Sequence, residues 1–82
     1  MSSIVQALVF AKEFFTKKRA EQWAKQHGFN AIKQTHETPF TYRIRIRQPN
    51  DKYEYRTKAL STGIKAVLGF LPYALYEWFL FL

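Results

Sequence analysis

Residues 40–48 (FTYRIRIRQ) alternate without a break. Tyr42, Ile44 and Ile46 fall on one side of the chain and Arg43, Arg45 and Arg47 on the other. Side chains of a β-strand leave opposite faces with a period of two, and a helix cannot sort this pattern. One such strand demands a sheet with an apolar face to cover and a charged face left to solvent or a ligand. The chain has 82 residues and no cysteine to supply that cover. That is one small domain with a thin core and no disulfide or thiolate metal site to brace it.

The other elements follow from local pattern. Residues 4–10 (IVQALVF) are apolar except at Gln6, which suits a central strand buried on both faces, although a helix also fits the run. Thr16 is a natural N-cap with Phe15 at the staple position before it. Ala20, Trp23, Ala24 and His27 follow on one helical face, and Gly28 suits the residue just past a helix end. The spacing predicts a helix over 17–27. Residues 30–36 read as a weak strand, and Glu37-Thr38-Pro39 as a turn or a strand-edge break. Pro49-Asn50-Asp51 is a second turn, before an extended segment at 53–60. Ser61-Thr62-Gly63 is a break, and 64–71 (IKAVLGFL) a last strand ended by Pro72. The expected fold is α+β: one helix across a small antiparallel sheet of three to five strands, with an apolar C-terminal arm. The domain spans 1–72 and the arm 73–82. The Trp23 side of the helix should cover the Tyr42/Ile44/Ile46 side of the sheet.

Thirteen Lys and Arg against six Asp and Glu leave a formal charge of +7. Residues 38–58 hold six of the basic and two of the acidic groups. Such a balance favours an anionic partner: nucleic acid, phosphate or an acidic protein face. Arg43, Arg45 and Arg47 would project from one face about 7 Å apart along the strand. If segment 53–58 paired with this strand, Arg56 and Lys58 would join the same face. Crowded like charges repel, and an anion would relieve them. The plainer alternative is a solvated strand face. Lys17, Lys18 and Arg19 oppose the helix dipole and form a second candidate anion site, or splay into water. Trp23 and Tyr42 have the chemistry to stack on bases, but both fall at core positions. Tyr53 and Tyr55 are less settled.

Catalysis finds no support in the sequence. The two histidines, His27 and His36, lack a spaced metal-ligating partner, and the six acids offer no paired acid and base. Ser61 and Thr62 have no activating neighbour, and no Gly-rich phosphate loop exists. No catalytic, cofactor-binding or metal-binding residue is expected. The start of the chain lacks a basic n-region and a small-residue cleavage site, so no signal peptide is read.

The arm is the least ordinary feature. Tyr73, Leu75, Tyr76, Trp78, Phe79, Leu80, Phe81 and Leu82 exceed what so small a core can bury. If the arm is helical, Leu75, Trp78, Phe81 and Leu82 share a face fit for a groove on a partner, with Phe79 beside them. Folding back over its own sheet is the alternative. The apolar stretch is shorter than a spanning helix needs and is divided by Pro72. Glu77 argues against deep lipid burial. Contact with a membrane surface ranks below a protein partner.

Three blocks carry a family resemblance. They are Phe15-Thr16 with Ala20, Trp23 and His27-Gly28-Phe29; Glu37-Thr38 before Tyr42-Arg43-Ile44-Arg45; and Arg56-Thr57-Lys58 with residues 63–69 (GIKAVLG). Together, over about residues 15–71, they resemble a small domain of tailed phages and large eukaryotic DNA viruses found beside HK97-type prohead proteases. The resemblance implies a role in virion assembly and transfers no catalytic residue. The chain departs from the pattern at Lys17-Lys18-Arg19, where the family tends to place acids. Two functions are therefore expected. The first is a viral interaction protein, a minor capsid-associated component in the virion or infected cell. It would bind larger viral proteins through the arm (Leu75, Trp78, Phe79, Phe81, Leu82) and the basic face. The alternative is a sequence-nonspecific DNA- or RNA-binding module gripping phosphates with Arg43, Arg45 and Arg47.

Overall fold

The computed structural model describes residues 3–71. They form β1 (Ser3–Ala11), α1 (Lys17–Gln26), β2 (His36–Glu37), β3 (Thr41–Arg45), β4 (Glu54–Ser61) and β5 (Ile64–Phe70). The five strands make one sheet in the order β2-β3-β1-β5-β4, and every neighbouring pair is antiparallel. This is the expected α+β architecture. The apolar arm lies outside the described residues.

β1 takes the central place that its apolar run predicts, with Ala7, Leu8 and Phe10 fully buried. Gln6 is buried too, and the reason is a bulge. Pairing with β5 shifts register between Val5 and Ala7. The Gln6 carbonyl accepts from the backbone N–H groups of Ile46 (2.8 Å) and Arg47 (3.0 Å). Its side-chain amide donates to the Arg47 carbonyl at 3.1 Å. A polar residue inside a core strand thus finds partners at the position where the β1–β5 ladder is broken.

Thr16 caps α1 as expected, with extended backbone and its hydroxyl accepting from Arg19 N–H at 3.2 Å. The helix ends in a glycine turn: Gly28 has φ +80°, and Phe29 N–H donates to the Ala24 carbonyl at 2.9 Å. Ala20 and Ala24, one turn apart, are buried, and their small side chains bring the helix close to the sheet. The core joins them to Leu8, Phe10, Ile44, Ile64 and Ala66, with Trp23, Tyr42, Ile46 and Leu68 packed around. Phe10 meets Trp23 and Phe15 edge-on, at ring separations of 5.7 and 5.1 Å. The Trp23 side of the helix does cover the Tyr42/Ile44/Ile46 side of the sheet.

Two strand expectations need correction. Residues 30–35 are not a strand, and only His36–Glu37 pair with β3. Ile32 N–H still donates to the Arg45 carbonyl at 3.0 Å, which ties the segment to the sheet edge at one point. β3 stops at Arg45, short of the predicted Gln48. The double hydrogen bond from Ile46 and Arg47 to the Gln6 bulge ends the regular ladder there.

Candidate anionic-partner interface

Register assigns each strand residue to a face. On the helix side, Phe10 lies between Tyr42 and Ile64, and Leu8 between Ile44 and Ala66. On the other side, Val9 lies between Arg43 and Lys65, and Ala7 between Arg45 and Val67. β4 extends these rows with Ala59 beside Lys65, Thr57 beside Val67 and Tyr55 beside Gly69. β2 adds His36 beside Arg43. Among the described residues no helix packs on this second face.

The face has a definite chemistry. Its centre is small and apolar, with half-buried Val9 and Val67 closing over the fully buried Ala7. Arg43, Arg45 and His36 flank it toward β2, and Lys65 toward β4. Among the described residues, no strand position on the face holds a carboxylate. Glu37 pairs with Tyr42 and Glu54 with Phe70, which places both on the helix side. Glu13, Glu21 and Asp51 lie outside the strands. The one ion pair among the described residues joins Lys12 to Glu37. That hydrogen bond and the charge of Lys12, with a smaller contribution from Lys17, hold the Glu37 carboxyl below its ordinary value. Lys12 also lies 5.2 Å from the centre of the Tyr42 ring.

The sequence-predicted cations do not form one site. Arg43 and Arg45 share the face away from the helix, as the alternation requires. Arg47 lies past the end of β3, where the bulge interrupts the alternation. Arg56 and Lys58 do not join them. β4 pairs with β5, not β3, and sets Arg56 beside Leu68 and Lys58 beside Ala66, both on the helix side. The expectation failed because β1 and β5 come between the two basic strands. Lys17, Lys18 and Arg19 are exposed in the first turn of α1, where the Thr16 hydroxyl already takes the Arg19 N–H. Trp23 and Tyr42 pack on the core. Tyr55 is half-buried, with its hydroxyl accepting from Asn50 N–H at 2.7 Å. Leu75, Trp78, Phe79, Phe81 and Leu82 lie outside the described residues.

Sequence reasoning missed a concavity. At the β2 edge of this face a hollow of about 600 Å³ is lined by Lys33, Gln34, Thr35, His36, Thr38, Arg43 and Arg45. Lys33 and His36 are ten or fewer residues before Arg43 in sequence, but nothing in their spacing marks them. Only the pairing of His36 with Arg43 brings the segment before β2 over the two arginines. Lys65 escaped for the same reason, since its face depends on register with β1.

No described helix is long and apolar enough to cross a membrane. Comparison of the chain with family models, curated proteins and solved structures gives no match.

Proposed function

We propose that the chain is a non-enzymatic interaction protein, a minor capsid-associated component of a virion. It docks on larger viral proteins, in the particle or the infected cell, through the sheet face away from its helix. The viral setting rests on the three-block sequence resemblance. The docking role rests on the make-up of the face: a half-buried apolar centre of Val9 and Val67, cations on both sides, and no acid among the described residues. Protein interfaces have this anatomy, an apolar centre within a polar rim. A partner with an acidic rim is complementary to it, and complementary charge speeds and orients docking. The arm residues would add a second, apolar anchor.

The test is quantitative mass spectrometry of purified particles, before and after genome release. A fixed copy number that stays with the emptied shell supports the reading. Thr57→Glu with Ala59→Glu adds two carboxylates at exposed positions on the β4 side of the face. Facing an acidic rim, they should cut incorporation about tenfold or more. Unchanged incorporation would end the docking proposal.

A further inference from the structure

We propose that the hollow at the β2 edge is a nucleic-acid phosphate clamp. It shares Arg43 and Arg45 with the docking face but not the apolar centre. Lys33, His36, Arg43 and Arg45 converge on the hollow with Gln34, Thr35 and Thr38, and no apolar side chain lines it. That composition separates it from the rest of the face. A protein surface seeks an apolar centre, whereas nucleic-acid interfaces are more polar and much more positive.

The charges in the hollow are available. Among the described residues no acid lines it, and none of its cations takes part in their single ion pair. Thr35 donates its hydroxyl to the Glu21 carboxylate at 2.7 Å, which holds the segment before β2 against the helix. Thr38 is fixed in turn, its hydroxyl accepting from Thr41 N–H at 3.0 Å. The rim is therefore tied down on both sides, and among the described residues none of the cations between is ion-paired. Arg43 and Arg45 stand about 7 Å apart along β3, too far to share one phosphate well and suited to neighbouring ones. The grip assigned here is to phosphates, and phosphate contacts fix position on the backbone without carrying sequence preference.

The test uses the full chain and a fluorescein-labelled mixed-sequence oligonucleotide, single-stranded and duplex, followed by anisotropy across a salt series. Three phosphate contacts, by Lys33, Arg43 and Arg45, give a log–log salt slope of about −2 for single strands and about −3 for duplex. Lys33→Ala with Arg43→Ala should weaken binding about tenfold or more at ~0.1 M salt and reduce the slope by about 1.5–2. Lys33→Glu, at an exposed position, gives the same direction without touching the sheet. Arg56→Ala with Lys58→Ala removes equal charge from the opposite face and should leave the slope unchanged.

Equal losses in the two double variants would overturn the proposal, because the binding would then follow net charge alone. Competition by polyglutamate at matched charge would also overturn it and make the hollow a site for acidic peptides. So would no binding at low salt. The docking reading fails separately. Thr57 stands three strand spacings from Arg45, about 14 Å, beyond the ~8 Å screening length at physiological salt. Thr57→Glu with Ala59→Glu should therefore spare oligonucleotide binding whatever it does to particle incorporation.

Discussion

The ring of Tyr55 on β4 occupies the space that a side chain at Gly69 on β5 would need. A Cβ at Gly69 would lie 2.9 Å from Tyr55 Cε1 and 3.2 Å from Ile4 Cγ1. The two residues are cross-strand partners, and the Tyr55 hydroxyl is held at the far end by Asn50. The ring cannot swing away without breaking that contact. Gly69→Ala should therefore destabilise the fold by about 1–3 kcal/mol, as overpacking does. Tyr55→Ala clears most of the space. The double variant should then be more stable than the sum of the single losses predicts, with a coupling of about 0.5 kcal/mol or more. Urea unfolding of the four proteins reads this directly. Strict additivity would mean that the ring moves freely.

The start of α1 combines a good cap with poor charge. Thr16→Ala removes the hydroxyl that accepts from Arg19 N–H and should cost about 1 kcal/mol. No acid lies in the first turn, and Lys17, Lys18 and Arg19 all face the positive end of the dipole. Lys18→Glu, at an exposed position, should stabilise by about 0.3–1 kcal/mol at low salt and by less as salt rises. Thermal melts at two ionic strengths check both. A destabilising Lys18→Glu would show that Lys18 already serves an anion or an acid.

The bulge at Gln6 makes a third prediction. Its amide donates to the Arg47 carbonyl, and its own carbonyl receives two backbone N–H groups. Gln6→Leu keeps bulk but withdraws the donor from Arg47, and should cost about 1–3 kcal/mol for the polar group left unpaired. Hydrogen exchange should quicken at Ile46 and Arg47 before it does in the middle of β3. Uniform quickening along β3 would place the loss in core packing instead.

Signals that depend on neighbouring residues were legible in the sequence. The Thr16 cap, the Gly28 turn and the Tyr42/Ile44 alternation all act within a few residues, and each was found where it was expected. Signals that depend on strand order were not. Arg56 and Lys58 alternate as cleanly as Arg43 and Arg45, yet alternation cannot say which strand is the neighbour. β4 pairs with β5 instead, and the register carried through β1 and β5 puts the pairs on opposite faces. The hollow was hidden for the same reason. Lys33 and His36 sit in a segment with no period, and their role appears only when β2 pairs with β3. Gln6 looked like an interruption of a buried strand, and its purpose is visible only once the bulge is known.

Glu37 gives the chain a pH-dependent contribution to stability. The hydrogen bond and charge of Lys12 hold its carboxyl below the ordinary value of 4.5 in the folded state. A lowered folded value means that the unfolded chain takes up the proton first. The contribution is thus present above about pH 4.5 and is lost as pH falls through the folded value. Glu37 is exposed, so solvent and salt screen the pair and the effect is small. Glu37→Gln should lower the urea midpoint at neutral pH, and the gap from the parent protein should close on the acid side of pH 4.5. Added salt should narrow it at neutral pH. A gap of constant size from neutral to acid pH would show that the Lys12 charge contributes nothing, and that the amide variant differs from the parent only in packing or in strand pairing with Tyr42.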